Sequence, residues 1–116
     1  MDVSRYREGW LERARREEEA RAESVRVARA ALPHAIAVLR RHGAKRIWLI
    51  GSLPRGTFRV GSDLDFLVEG LEEEGAWRAA SEAADATGFP VDVICSESLD
   101  EAWRTYHQRY GEILCG

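Results

Sequence analysis

The spacing of apolar residues predicts a long helix in the first third of the chain. Between Ser24 and His42 these residues recur every three or four positions, as on the buried stripe of an amphipathic helix: Val25, Ala28, Leu32, Ile36 and Leu39. Gly43 is expected to end the helix. Pro33 lies inside the pattern and is expected to kink or interrupt the helix, because proline lacks one backbone hydrogen bond and crowds the preceding turn.

A smaller apolar cluster lies at helical spacing near the N-terminus and consists of Val3, Tyr6, Trp10 and Leu11. The residues between this cluster and Ser24 are polar on all sides, with Glu/Arg pairs four positions apart, so they can be helical but have little to bury. We expect the cluster to dock onto another subunit, as in a homo-oligomer formed through the N-terminal helix. Packing on the chain's own core is the alternative.

After Gly43 the pattern changes to short apolar runs that alternate with helical segments. Three of the runs predict strands, at Arg46–Ile50, Leu64–Val68 and Val91–Ile94. The expected fold class is therefore α/β (α+β), with a small mixed sheet of about three to four strands, helices packed against it and a long N-terminal helix.

Two further helices are predicted between and after these strands. Glu72–Thr87 would end at Gly88 and turn four alanines inward, namely Ala76, Ala80, Ala83 and Ala84. The last helix would run from about Ser98 to Tyr110, with Ser98 as the N-cap and Glu101 completing a capping box. Its expected apolar face consists of Leu99, Ala102, Trp103 and Tyr106.

Composition and charge limit the number of domains and the kinds of partner that are expected. With 116 residues, 45% of them hydrophobic, the chain is expected to form one domain with no separate substrate-binding unit. Its charges are mixed in sign and sum to −3, so no polynucleotide partner is expected. No apolar run approaches the roughly 18 residues that cross a bilayer, so we expect no membrane association and a cytoplasmic location. Cys95 and Cys115 are expected to be free thiols, with a disulfide as the alternative.

The stretch GSLPRGTFRVGSDLD, residues 51–65, carries the candidate chemistry. Because side chains alternate across a strand, Asp63 and Asp65 leave one face while Leu64 and Phe66 face the core. Two neighbouring carboxylates repel each other unless a cation lies beside them, which favours a divalent metal. Mg²⁺ suits this arrangement, since it binds one or two carboxylates together with water and the oxygens of a substrate phosphate.

The start of the same stretch predicts a cradle for that phosphate. Glycine at position 51 lets backbone amides approach an anion, and the following residues can open a short helix whose N-terminus attracts negative charge. Ser52 adds a hydroxyl donor and Arg55 a cation. Each feature is common by itself, because an acid-x-acid pair arises easily in an acidic chain and Gly-Ser after a strand is often a plain turn.

Taken in order, these residues closely resemble the GSxxRG…SDxDxxV signature of the DNA polymerase beta-like nucleotidyltransferase superfamily, and in particular the minimal nucleotidyltransferases. The matching positions are Gly51, Ser52, Arg55, Gly56, Ser62, Asp63, Asp65 and Val68. The resemblance covers residues 44–116, so we divide the single nucleotidyltransferase domain, residues 1–116, into a helical extension at 1–43 and a catalytic core at 44–116.

The resemblance implies a third carboxylate on a later, adjacent strand. Asp92 is the best match, because Val91 and Val93 would face the core while Asp92 faces the other way. An ordinary exposed strand aspartate is the alternative. In the family pattern Asp63, Asp65 and Asp92 would hold two Mg²⁺ ions, and the phosphate-binding positions would be Gly51, Ser52, Arg55 and Ser62.

The activity that the resemblance implies is transfer of a nucleoside monophosphate from a nucleoside triphosphate, with ATP expected, to an acceptor hydroxyl. Minimal nucleotidyltransferases are commonly paired with a HEPN-family toxin, so the expected role is that of an antitoxin that modifies its partner. A non-catalytic nucleotide-binding or toxin-capping module is one alternative, and a small-molecule nucleotidyltransferase of the aminoglycoside-modifying kind is another. His34, His42 and His107 lie at unrelated spacings and are expected to be structural or solvated.

Overall fold

A computed structural model describes residues 3–116 and contains one 39-residue helix, α1, at Val3–Arg41. The predicted stripe is confirmed: Ala28, Leu32 and Leu39 are buried, and Val25 and Ile36 pack against the same core. A break at Pro33 is wrong, because the helix continues through it. Pro33 is exposed, whereas Leu32 before it and Ala35 two residues after it are buried, so core packing on both sides supports the helix where one hydrogen bond is lost.

The N-terminal apolar cluster does not join the core. Val3, Tyr6, Trp10 and Leu11 are 72%, 74%, 60% and 51% exposed, so the alternative of packing within the chain is wrong. Docking onto another subunit stays a prediction.

The sheet has four strands, in the order β3-β2-β1-β4. The strands are β1 Arg46–Ile50, β2 Leu64–Glu69, β3 Val91–Cys95 and β4 Glu112–Cys115. Strand β1 is antiparallel to both β2 and β4, whereas β2 and β3 run parallel. The predicted mixed sheet is therefore confirmed, and β4 is a strand that the sequence pattern did not assign.

Three helices complete the fold: α2 at Ser52–Arg55, α3 at Glu73–Thr87 and α4 at Glu101–Tyr110. The parallel pair needs a crossover, and α3 supplies it between β2 and β3. The buried residues of α3 are Ala76, Ala79 and Ala83, so Ala79 takes the central place that the prediction gave to Ala80 and Ala84, which are only half-buried.

Two predictions for α4 are wrong. Its N-cap is Asp100, whose Oδ1 accepts a 2.9 Å hydrogen bond from the Trp103 amide, and not Ser98, which belongs to a turn of 3₁₀ helix at 96–98. Its apolar face is not covered by the chain, since α4 has no buried residue and Trp103 and Tyr106 are 56% and 43% exposed.

The main core lies between one face of the sheet and the helices α1 and α3, with Leu39, Leu49, Phe66 and Ala79 at its centre. Alternate residues of the strands, including Trp48 and Leu67, form a smaller cluster on the other face. His42 links α1 to α3, since its Nε2 lies 2.5 Å from Glu82 Oε2. The expected structural role of His42 is thus supported.

Cys95 and Cys115 are both free thiols, as expected. In the part of the chain that the structure describes, no helix combines the length and the apolar character that a membrane crossing requires.

Candidate active site

Asp65 and Asp92 lie side by side on the parallel strands β2 and β3, as directly matched positions of the strand register. Leu64 and Phe66, which flank Asp65, are fully buried in the main core. Asp92 is exposed, between Val91 and Val93, which pack against the core. The alternation predicted for both strands is confirmed, and it brings the two carboxylates to the same edge.

Asp63 completes an acidic group at this edge, one residue before β2 begins. The pKa of Asp65 in this group is raised from 3.8 to about 6. Burial of the carboxyl is the main cause, followed by repulsion from Asp92 and then from Asp63, while Arg55 acts in the opposite direction. The three aspartates therefore form one electrostatic unit in which negative charge is poorly compensated.

Gly51 lies directly against this unit. A Cβ atom at position 51 would come within 2.3 Å of Asp65 Oδ2, and the backbone there has φ of +82°, in the region that favours glycine. The contact follows from the register, because Ile50 at the end of β1 pairs with Asp65. Asp65, the second aspartate of the DxD motif, thus occupies space that a side chain at Gly51 of the GS motif would need.

The residues after Gly51 form the short helix that the sequence predicts. Helix α2 ends at Arg55, and Gly56 caps it in the left-handed conformation with φ of 78°. Arg55 Nε donates a 3.1 Å hydrogen bond to the Gly51 carbonyl, and the Thr57 amide donates a 3.0 Å bond to the Ser52 carbonyl. These bonds fix the backbone at Ser52 and the side chain of Arg55, whose charge acts on Asp65, and phosphate binding by Gly51, Ser52 and Arg55 stays a prediction.

Ser62 has a structural role that sequence reasoning did not assign. Its Oγ accepts a 3.0 Å hydrogen bond from the Arg59 amide, and the Ser62 amide donates to the Arg59 carbonyl at the same distance. This reciprocal pair closes the turn that leads into Asp63. A contact between Ser62 and phosphate stays a prediction.

Cavities adjoin the site on both sides. A groove of about 400 Å³ begins at Asp92 and runs between α3 and the segment before α4, with Trp77 and Leu99 on its walls. On the other side, a cavity of about 70 Å³ lies between Gly51, Arg55 and the end of α4. Sequence reasoning missed the contribution of α4, because no local pattern shows that His107 and Tyr110 approach Gly51.

The donor set is compatible with magnesium. Within residues 3–116, no group of three or more histidine, cysteine, aspartate or glutamate side chains is gathered into a complete metal site. Mg²⁺ does not require one, because water and substrate phosphate commonly supply most of its ligands. Asp63 and Asp65 fit that mode, since both are oxygen donors and the repulsion that raises the pKa of Asp65 is of the kind that a cation relieves. The assignment of Asp63, Asp65 and Asp92 as metal ligands stays a prediction.

Asp63, Asp65 and Asp92 thus lie near the GS turn at this edge of the sheet, and comparison with known proteins gives the family of the chain. A family model described as the nucleotidyltransferase domain matches residues 34–112, more than half of the chain. The chain therefore belongs to the nucleotidyltransferase domain family, as the motif predicts. No curated protein gives a match.

Solved structures narrow the similarity to minimal nucleotidyltransferases. One structure, assigned as a minimal nucleotidyltransferase, is 29% identical with a TM-score of 0.67, over 78% of this chain and 95% of that chain. A crystal structure of a toxin–antitoxin with AMP-PNP is 28% identical with a TM-score of 0.63, over 70% of this chain and 69% of that chain. The MNT antitoxin complex with the tri-AMPylated Shewanella oneidensis HEPN toxin, at 22% identity and a TM-score of 0.61 over 77% and 72% of the two chains, shares the fold.

Proposed function

We propose that this chain transfers AMP, or another nucleoside monophosphate, from a nucleoside triphosphate to a hydroxyl group of a HEPN-family partner protein, as the antitoxin of a toxin–antitoxin pair. The observation that carries the proposal is the matched position of Asp65 and Asp92 on parallel strands, with Asp63 and Gly51 against them. The similarity to a toxin–antitoxin structure with AMP-PNP supports both the nucleotide and the biological role.

The residues of the site would have separate roles in the proposed reaction. Asp92 is exposed and would accept the proton of the acceptor hydroxyl as the hydroxyl oxygen attacks the α-phosphorus. The bond to the α-phosphorus forms while the bond to the bridging oxygen breaks, so pyrophosphate leaves. The backbone of Gly51 and Ser52 and the Arg55 guanidinium would hold the phosphates in line. Mg²⁺, with two ions expected on Asp63, Asp65 and Asp92, would supply charge stabilisation when bound.

The groove beside Asp92 supports an acceptor that belongs to another protein. Trp77 on its wall is 80% exposed, and exposed aromatic side chains are typical of protein contact surfaces. Asp92, which would take the proton, is one of the residues that line the groove. A hydroxyl presented from a partner's surface can thus reach the site without a further substrate-binding unit.

The test is transfer of radiolabelled AMP from ATP to a HEPN-family protein that is co-expressed with this chain. We expect wild-type protein with Mg²⁺ to label the partner and Asp63→Asn to fail, because Asp63 is proposed to hold the metal that accompanies the triphosphate. Asp85→Asn is the matched control, since Asp85 is an exposed aspartate on α3 outside the site, and it should transfer normally. Wild-type protein that binds Mg-ATP but labels no partner would contradict transfer and favour a binding module.

A further inference from the structure

The small cavity at the end of β1 has a lining that suits an anion. It is formed by Ile50, Gly51, Arg55, Tyr106, His107, Tyr110 and Gly111. Among the residues that the structure describes, no aspartate or glutamate lines it, whereas Arg55, His107, Tyr106 and Tyr110 do, and these residues carry a guanidinium, an imidazole and two phenol groups. All four groups can donate hydrogen bonds to phosphate oxygens.

Close packing fixes the α4 side of this cavity. A Cβ atom at Gly111 would come within 2.5 Å of the His107 carbonyl oxygen and 2.9 Å of the Leu49 carbonyl oxygen, so only glycine lets the end of α4 approach β1 this closely. The His107 ring is held between Trp103, at a centroid distance of 5.9 Å, and Tyr106, at 5.4 Å. Glu112, the first acidic residue after α4 in the sequence, forms a salt bridge with Arg29, with 2.6 Å between Oε2 and Nη1.

The volume of the cavity limits its ligand. At about 70 Å³ it is far smaller than the roughly 300 Å³ at which pockets begin to enclose drug-sized ligands, so it has no room for a nucleoside. A single phosphoryl group is a ligand of suitable size and charge. The groove beside Asp92, at about 400 Å³, is the larger space at this edge of the sheet.

The order of the strands gives the direction in which a triphosphate would lie. Across the sheet, Asp92 on β3 is followed by Asp65 on β2, by Gly51 after β1, and then by α4 and β4. If the reacting α-phosphate lies at the carboxylates and the β-phosphate lies at Gly51, the γ-phosphate arrives at the cavity. The geometry therefore separates the site of reaction from the place where the leaving group would rest.

We propose that His107 and Tyr110 of α4, together with Arg55, hold the terminal phosphate of the nucleotide, which is also one end of the pyrophosphate that leaves. This inference rests on the proposed function, and it adds two binding residues on α4 that lie outside the matched motif. The proposal also gives a function to the side chains of His107 and Tyr110 on α4, a helix with no buried residue.

Titration calorimetry with Mg-pyrophosphate, Mg-ATP and AMP tests the proposal. His107→Asn should weaken pyrophosphate and ATP binding about ten-fold or more, as expected for loss of a hydrogen bond to a charged group, and leave AMP binding unchanged. Tyr110→Phe, which removes only a hydroxyl group, should show the same pattern more weakly. Thr105→Ala, at an exposed position of α4, is the matched control and should have no effect.

The outcomes separate this inference from the function on which it rests. The assignment of His107 to the terminal phosphate is wrong if His107→Asn melts like the wild type and binds pyrophosphate normally. It is also wrong if the substitution weakens AMP binding as much as ATP binding. In both cases nucleotide binding by the protein stands. If His107→Asn does not fold, Tyr110→Phe decides by the same criterion. Wild-type protein that binds neither ATP nor pyrophosphate with Mg²⁺ would overturn both the inference and the proposed function.

Discussion

The Asp65 carboxylate occupies the space that a side chain at Gly51 would need, with only 2.3 Å between Oδ2 and the position of a Cβ atom. Gly51→Ala must therefore displace Asp65 and also place alanine at φ of +82°. We expect a loss of about 1–2 kcal/mol in the free energy of unfolding from the backbone conformation alone, together with weaker nucleotide binding. Urea unfolding and calorimetry with Mg-ATP measure the two effects.

Gly75→Ala is the control for this substitution. Gly75 lies inside α3, a Cβ atom there meets nothing within 4 Å, and its φ is not positive. Alanine should stabilise the helix at that position by up to about 1 kcal/mol. A Gly51→Ala protein with wild-type stability and nucleotide affinity would show that the contact between Gly51 and Asp65 does not matter.

The raised pKa of Asp65 predicts that the protein without ligands loses stability as pH rises. The folded-state pKa of about 6 lies above the ordinary value of 3.8, so the charged form is disfavoured by folding. The contribution is favourable below about pH 4 and is lost as pH rises through about 6. A shift of this size corresponds to about 3 kcal/mol for a buried group, and solvent screening of the half-buried carboxyl reduces it to about 1 kcal/mol.

Asp65→Asn removes this titration, so it should be more stable than the wild type at pH 8 by about 1 kcal/mol and equally stable near pH 4. Thermal unfolding of both proteins across this pH range, without divalent cations, measures the difference. An Asp65→Asn protein that is less stable than the wild type at pH 8 would show that Asp65 is not destabilised by its neighbours.

The exposed N-terminal cluster predicts an interface outside the site. Replacing Trp10 and Leu11 together by serine should lower the mass measured by light scattering, because these side chains are proposed to be covered by another subunit. Mg-ATP affinity should not change. Substitution is preferable to deletion of residues 1–23, since Arg21 donates a 2.6 Å hydrogen bond to the Gly56 carbonyl of the motif. An unchanged mass would refute the interface.

Local patterns predicted most of what positions the site. Strict alternation around Asp65 and Asp92 was enough to place both carboxylates at one edge, because their apolar neighbours can only face the core. The same reasoning failed on α4, where Trp103 and Tyr106 have the spacing of a buried face but are exposed. Periodicity identifies an apolar face but does not show whether the same chain covers it.

The other failures have related causes. The contact of His107 with the cavity beside Gly51 depends on how α4 packs against β1, and residues so far apart in sequence leave no shared local signal. Strand β4 has only four residues, too few for a clear alternation. Ser98 and Asp100 both have the side chain of an N-cap, but Ser98 lies in the 3₁₀ turn at 96–98 and only Asp100 directly precedes α4.

Single-turnover AMP transfer by Asp92→Asn, measured together with its ATP affinity, tests the central claim most directly. Asp92 is proposed to act on the acceptor hydroxyl, so its replacement should leave Mg-ATP binding nearly unchanged and slow transfer by about 10²-fold or more. Asp85→Asn again serves as the control. Near-normal transfer to the HEPN-family partner by Asp92→Asn would contradict the account and reduce Asp92 to an ordinary exposed residue of β3.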